Sequence, residues 1–198
     1  MLVIYLKMFN EMNYIDEITA YFTRLKSAVD TIDKEDLNTL MNVLVEAKNE
    51  GKQIFIMGNG GSAATASHYV CDFNKGISHG KEKKFKFICL NDNIPSLMAY
   101  GNDMSYDEIF VNPLKTYFNE GDLVIGVSGS GNSENVIRAI QYANDNGGLT
   151  IGLTGFSGGI VKRLCKYNVH IPIDDMQITE DLHMILDHCM MKILCKYE

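Results

Sequence analysis

The sequence predicts an α/β fold, a doubly wound parallel sheet of five strands preceded by an N-terminal helical arm. From Gln53 onward, short apolar runs alternate with stretches of helical periodicity. The runs are rich in β-branched and aromatic residues and are apolar throughout, as expected of strands buried on both faces. Two glycine- and serine-rich turns directly follow two of these runs, at the strand ends where ligands bind in such sheets.

The N-terminal part of the chain predicts two helices before the sheet begins. Between about residues 14 and 50, apolar residues recur at spacings of three and four. Asp33 is a suitable N-terminal cap for the second helix, and Gly51 is a suitable end. Such an arm packs on its own domain or on a partner subunit, and the sequence does not decide between the two.

The remainder predicts five strands alternating with helices and joined by right-handed crossovers. The predicted strands are 53–57, 85–90, 122–127, 149–154 and 168–173. The predicted helices are 62–75, 94–100, 106–118, 133–146, 158–166 and about 180–196. No linker, repeat or low-complexity tract interrupts this order, so residues 1–198 are expected to form a single domain.

Composition argues against several classes of partner. The formal net charge is −7 with no long basic run, so nucleic acid is not expected, and the cluster 81–84 is interpreted as a solvated loop. No stretch approaches ~18 uncharged apolar residues, and the apolar start 1–9, interrupted by Lys7, is too short for a signal peptide or membrane span. The five cysteines are far apart in apolar contexts, which predicts reduced core cysteines and a cytoplasmic protein.

The two turns predict an anion pocket. They are Gly58-Asn59-Gly60-Gly61-Ser62 and Ser128-Gly129-Ser130-Gly131-Asn132-Ser133. Glycines let the backbone approach a ligand, while serine hydroxyls and N–H groups at helix starts donate hydrogen bonds to a phosphate. The first turn also matches the G-x-G-x-x-A pattern of dinucleotide-binding proteins. The expected acidic residue follows only at Asp92, later than in that pattern, so a nicotinamide site is the weaker alternative.

Histidines and acids are grouped on two predicted helices. His68 and Asp72 are four residues apart and share a helix face. The last helix contains Glu180, His183, Asp187 and His188, with Glu180 and His188 within about 80° of each other. One such histidine alone is more typical of a surface or satisfied core position. Two acid and histidine faces together with two phosphate turns favour a functional site.

These residues resemble a known family. The two turns, the Gly101-Asn102-Asp103 turn and Leu153-Thr154-Gly155 occur in the order and spacing of sugar isomerase (SIS) domains, and the resemblance covers nearly the whole chain. Among SIS domains it is strongest to the phosphoheptose isomerases, which interconvert sedoheptulose 7-phosphate and a manno-heptose 7-phosphate. The resemblance implies an SIS-type, flavodoxin-like sandwich, an enediolate mechanism, and a homotetramer with pockets at its subunit interfaces.

The resemblance also implies roles for particular residues. The implied substrate-binding residues are Asn59, Gly60, Ser62, Asp103, Ser128, Gly129, Ser130, Ser133 and Glu180. The implied zinc ligands are His68, Asp72, Glu180 and His188, a reasonable set for that metal. Asp72 would be the general base and His188 would shuttle protons to the enediolate oxygens. Ser133 is alternatively a helix cap, and Asp103 a turn-forming residue.

Five positions depart from the family pattern. They are Asp72 for Glu, Glu180 for Gln, Gly129 for Thr, Gly76 for Arg and Gln177 for Asp. Lys75 could supply the cation in place of the missing arginine. The changes are compatible with an altered substrate, a related branch such as a ketohexose 6-phosphate isomerase, or lost catalysis. The alternative to an enzyme is a non-catalytic sugar-phosphate sensor or protein-interaction scaffold, which the presence of His68, Asp72 and His188 disfavours.

Overall fold

The computed structural model describes residues 12–197, and the apolar start 1–9 therefore lies outside the described residues. The predicted doubly wound α/β fold is confirmed: five parallel strands have the order β2-β1-β3-β4-β5. The strands are β1 Ile54–Gly58, β2 Phe87–Cys89, β3 Leu123–Ser128, β4 Leu149–Thr154 and β5 Tyr167–His170. Each lies within or next to its predicted run, and the two edge strands, β2 and β5, are the shortest.

The helices of the described region cover both faces of this sheet. They are α1 Ile15–Asp30, α2 Lys34–Glu50, α3 Gly61–Val70, α4 Ile94–Asp103, α5 Val111–Tyr117, α6 Glu134–Asp145, α7 Gly159–Leu164 and α8 Met176–Tyr197. A π-helical segment, Cys71–Ile77, extends α3, and a short 3₁₀ turn, Tyr106–Glu108, precedes α5. One apolar core lies between the sheet and α2, α3 and α8, and a second lies between the sheet and α5 to α7. No helix within residues 12–197 combines the length and hydropathy needed to span a bilayer.

The two helices of the arm pack differently. Asp33 caps α2 as predicted, because its carboxylate accepts hydrogen bonds from the Glu35 and Asp36 N–H groups at 2.8 and 3.2 Å. Gly51, with φ +70°, ends α2. Helix α2 belongs to the core, whereas α1 keeps Ile15 and Phe22 more than half exposed, at 65% and 53%. The arm thus packs on its own domain through α2 and leaves an apolar face of α1 exposed.

Several local predictions were wrong at element ends. The Gly101-Asn102-Asp103 turn is the last turn of α4, whose backbone stays helical with Met104 N–H donating to the Tyr100 carbonyl at 3.0 Å. The predicted helix 106–118 is interrupted, because Pro113 has no N–H with which to continue a helix through the preceding turn. Helix α8 begins four residues earlier than expected, since the Asp175 carboxylate accepts the Ile178 N–H at 3.1 Å and caps it.

The prediction that the cysteines are core residues was partly wrong. All five cysteines are free. Cys89 and Cys165 are buried, and burial raises the pKa of each thiol to about 12. Cys71 and Cys195 are exposed, although most residues around them in the sequence are apolar. A helix alternates buried and exposed faces over a few residues, so an apolar neighbourhood in sequence does not place a side chain in the core.

Candidate active site

The two glycine- and serine-rich turns lie side by side at one edge of the sheet. Their strands, β1 and β3, are parallel neighbours in which Gly58 pairs with Val127. The first turn needs glycine at position 58, where a Cβ would lie 2.7 Å from the Ser62 side chain. It needs glycine at position 60 for φ +56°, and the space in front of Gly60 is open. Ser62 itself is buried behind this turn, with 4% of its surface exposed.

The second turn holds its serine hydroxyls in a fixed arrangement. Ser128 Oγ accepts the Gly131 N–H at 3.1 Å and lies 3.3 Å from Ser133 Oγ, while Ser130 Oγ accepts the Asn132 N–H at 3.2 Å. Gly131 has φ +67°, and a Cβ there would lie 2.0 Å from the Gly158 carbonyl oxygen. Ser133 precedes α6 but makes no side-chain capping bond. Its hydroxyl faces Ser128 instead, which disfavours the interpretation of Ser133 as a simple cap.

An asparagine pair ties the two turns together. Asn59 Nδ2 donates to Asn135 Oδ1 at 2.9 Å, and Asn135 Nδ2 donates back to Asn59 Oδ1 at 3.0 Å. Tyr106 adds its hydroxyl to Asn59 Oδ1 at 2.8 Å. Asn135 is buried at the start of α6 and was missed by sequence reasoning, because a lone asparagine in a helix has no distinguishing pattern. Asp103 lies exposed at the end of α4 and accepts a hydrogen bond from Asn102 at 2.8 Å.

Helix α8 runs from the second turn past the first. A Cβ on Gly129 would lie 2.6 Å from Met176 Sδ, so Met176 fills the space that a threonine at this position would need. One turn further, the Glu180 carboxylate lies against Gly61 at the start of α3, where a Cβ would be 2.3 Å from Oε2. The positive end of the α3 dipole is a favourable position for this charge.

A second contact fixes how α3 and α8 are aligned. Asp187 Oδ2 lies 3.9 Å from His68 Nε2. Because Asp187 follows Glu180 by seven residues and His68 follows Gly61 by seven, the two helices run alongside each other in the same direction. The Glu180 and Asp187 positions are therefore about 10 Å apart along the axis of α8.

Four side chains meet where α3, the π-helical segment and α8 come together. One ligand atom from each of His68, Asp72, Asp187 and His188 lies within 4.8 Å of the others. His68 Nε2 is 3.1 Å from His188 Nε2 and 3.7 Å from Asp72 Oδ2. Three of the four residues predicted as zinc ligands are thus brought together. Glu180, the fourth, lies at the first turn, and Asp187 stands in the group instead.

Asp187 is the most unusual member of this cluster. It is 0% exposed, and among the described residues neither of its carboxylate oxygens has a hydrogen-bond partner. Burial, followed by the nearby charge of Asp72, raises the pKa of Asp187 to about 7. A buried carboxylate without donors costs free energy unless a cation or proton accompanies it.

The cluster fits a divalent metal ion. Two imidazoles and two carboxylates are a ligand set that zinc accepts. Zinc ligands in a tetrahedron are about 3.3 Å apart, given bonds of about 2.0–2.1 Å. The distances of 3.1–3.9 Å from His68 Nε2 to the other three residues lie close to that separation. The chain therefore contains a possible His/Asp metal site, which the orphaned oxygens of Asp187 support.

The other residues noted in the sequence lie away from this cluster. His183 is fully buried on another flank of α8, and burial lowers its pKa to about 4, so it is a neutral core histidine. Gly76 packs against Met191, with a Cβ position 2.5 Å from Met191 Cε. Lys75 and Gln177 are exposed. The π-helical segment that contains Lys75 was not foreseen, although such segments are frequent at functional sites.

Comparison with known proteins gives one consistent family. The SIS domain family matches residues 13–155. A phosphoheptose isomerase of Aliarcobacter butzleri is 35% identical over 180 residues, covering 91% of this chain and 94% of that protein.

Solved structures agree with the fold. The phosphoheptose isomerase of Neisseria gonorrhoeae has a TM-score of 0.84 and 26% identity, covering 92% of this chain and 98% of that one. The enzyme of Francisella tularensis has a TM-score of 0.85 and 23% identity, covering 93% and 100%. By sequence and by fold, the chain therefore belongs to the SIS domain family, among the phosphoheptose isomerases.

Proposed function

We propose that this protein is an aldose–ketose isomerase that interconverts sedoheptulose 7-phosphate and glycero-manno-heptose 7-phosphate through an enediolate. The observation that supports it best is the path of α8. This single helix contacts the serine turn through Met176, passes the first turn at Glu180, and brings His188 to His68 and Asp72. The proposed phosphate site and the acid–imidazole cluster would thereby be held relative to each other through contacts with the same helix.

The serine turn would bind the phosphate. The hydroxyls of Ser128, Ser130 and Ser133 and the N–H groups at the start of α6 all belong to one short segment. Helix N-termini favour anions through unpaired N–H groups and the helix dipole. The rigid backbone of the turn, fixed by the Gly131 contact with Gly158, would hold these donors in place before substrate arrives. Asn59, Gly60, Ser62 and Glu180 would border the sugar from the first turn, and Asp103 from α4.

Proton transfer would be carried out by Asp72 and His188. Asp72 would remove the proton from the carbon next to the carbonyl, and the electron pair left behind would form the enediolate double bond. His188 would protonate the former carbonyl oxygen and remove the proton from the neighbouring hydroxyl. Asp72 would then return its proton to the adjacent carbon, which completes the isomerisation without an external reductant or oxidant.

Zinc is the proposed cofactor. The proposal is supported by three of the predicted ligands, His68, Asp72 and His188, whose ligand atoms lie within 4.8 Å of one another. When bound, the metal would supply positive charge to the developing enediolate oxygens. A non-catalytic sensor has no need of the convergent imidazoles and carboxylates of this cluster, so the enzyme is the better proposal.

We also propose a cytoplasmic homotetramer. The exposed apolar face of α1, including Ile15, Ile18 and Phe22, is the kind of surface that helices bury between subunits. Light scattering after size-exclusion chromatography at micromolar concentration would test this assembly, and a monomeric mass would contradict it.

The function itself can be tested directly. The protein would be incubated with sedoheptulose 7-phosphate, with added zinc or with a chelator, and aldoheptose formation followed by NMR. Sedoheptulose without phosphate is the matched control, and we expect it to react at least ~10²-fold more slowly at equal concentration because it lacks the bound phosphate. No aldoheptose phosphate under either condition would refute the proposal.

A further inference from the structure

We propose that Asp187 is a metal ligand in this protein, and that it takes the place in the ligand set that the family resemblance assigned to Glu180. The inference deepens the proposed function, since it concerns the metal centre of the same site. It depends on the alignment of α3 and α8 and on the burial of one side chain.

Because of the way α3 and α8 are aligned, Glu180 lies too far along α8 to join the His/Asp cluster of its own chain. The Glu180 carboxylate lies against Gly61, while His68 lies seven residues further along α3, about 10 Å along the helix axis. Asp187 is displaced from Glu180 by the same seven residues and lies level with His68. Seven residues are close to two helical turns, so Glu180 and Asp187 both face α3 but at different positions along its axis.

Because it is buried, the Asp187 carboxylate needs a partner for its charge, which a carboxylate at the surface would not need. Both of its oxygens are buried and lack hydrogen-bond partners among the described residues, yet Oδ2 lies 3.9 Å from His68 Nε2. Buried charges in proteins are usually paired or coordinate metals. An ion between these atoms and His188 would be in reach of all four side chains of the cluster.

The two carboxylates of the cluster differ in exposure. The Asp187 side chain is 0% exposed and cannot meet a substrate, whereas the Asp72 side chain is 13% exposed and opens toward solvent. A carboxylate of α8 that only holds the metal would leave proton transfer to the more exposed carboxylate of the cluster, Asp72.

The experiment compares Asp187→Asn with Glu180→Gln. Both variants remove one negative charge from the same face of α8, so a purely long-range effect of charge would alter them similarly. Zinc affinity would be measured by competition with a chromophoric chelator, and cobalt would be added as a spectroscopic probe of coordination. We expect Asp187→Asn to weaken zinc binding at least ~10²-fold and to change the cobalt d–d absorption, with Glu180→Gln within about threefold of wild type.

Thermal unfolding separates loss of binding from loss of fold. Without metal, Asp187→Asn should melt at or above the wild-type temperature, because a neutral amide is less costly to bury than an unpaired carboxylate. The increase in melting temperature on adding zinc should be much smaller than in wild type. Should Asp187→Asn fail to fold, Asp187→Glu serves as the second variant, with an altered cobalt spectrum expected.

The outcomes distinguish this inference from the proposed function. Unchanged zinc affinity and cobalt spectrum in Asp187→Asn, equal losses in both variants, or a wild-type protein that binds no zinc would overturn the role of Asp187, whatever the isomerase activity. Absence of isomerase activity together with zinc binding lost only in Asp187→Asn would overturn the function and leave the metal site standing.

Discussion

The serine turn and the His/Asp cluster are both contacted by helix α8, but they differ in how their polar atoms are hydrogen-bonded. In the turn, Ser128 and Ser130 already accept N–H bonds from the backbone that follows them. In the cluster, Asp187 is buried, neither of its oxygens has a donor within the described part of the chain, and two imidazole nitrogens lie 3.1 Å apart. The serine hydroxyls of the turn are thus hydrogen-bonded within the protein, whereas the Asp187 carboxylate has no hydrogen bond to any described residue.

This difference indicates what each region requires from a ligand. A turn with fixed donors binds an anion with little reorganisation, and losing one donor should weaken binding modestly. A cluster that holds a buried carboxylate close to a second carboxylate and two imidazoles is costly to maintain, so its groups should act as a unit with large losses when one is removed. The predictions below test this contrast, beginning with the cluster.

The largest effects are expected from the proton-transfer residues. Asp72→Asn and His188→Ala should each lower kcat at least ~10²-fold at saturating zinc, because each removes an acid–base group. Initial rates with sedoheptulose 7-phosphate would measure this, and Asp30→Asn, an exposed carboxylate at the end of α1, is the control. Turnover at the wild-type rate in both variants would remove Asp72 and His188 from the mechanism.

A second test uses another buried titratable group of α8. His183 is neutral in the fold because burial lowers its pKa from 6.5 to about 4. Between these values the unfolded chain binds a proton that the folded chain does not, so this group's stabilisation is present above pH 6.5 and is lost on acidification toward pH 4. Between pH 7 and pH 5, wild type should lose about 2 kcal/mol more of its unfolding free energy than His183→Leu.

Urea unfolding at the two pH values measures that difference. Both proteins share their remaining titratable groups, so the comparison isolates His183 from acid effects on the carboxylates. Equal losses in the two proteins would mean that His183 is accessible to protons in the folded state, and that its burial does not keep it neutral.

The third prediction concerns the space behind the serine turn. Gly129→Thr should destabilise the fold by about 1–3 kcal/mol, because its Cβ would lie 2.6 Å from Met176 Sδ. Adding Met176→Ala should recover part of that loss by making room for the new side chain. Denaturant unfolding of the single and double variants measures the coupling, and simple additivity of the two changes would contradict the packing account.

Much of the fold was predictable, since strands such as Ile54–Gly58 and Leu123–Ser128 are buried throughout and have continuous apolar runs. Asp33 and Gly51 also marked helix ends through local chemistry that a sequence displays. The partnership of Asp187 with His68 was not predictable, because it depends on how two helices far apart in the sequence are aligned. The π-helical segment and the Asn59–Asn135 pair likewise arise from packing, which leaves no periodic pattern.

The smallest effect should come from the turn itself. Ser130→Ala should raise KM for the sugar phosphate about tenfold, the value of one hydrogen bond to a charged group, with kcat little changed. Ser67→Ala is the matched control, because its hydroxyl bonds Asp92 at 2.8 Å on the exposed side of α3. Inhibition by inorganic phosphate should weaken by a similar factor in Ser130→Ala. If KM and phosphate inhibition were unchanged, the hydroxyl of Ser130 would serve only to accept the Asn132 N–H. The hydrogen bonds within this turn would then stabilise the fold and would not position donors for an anion.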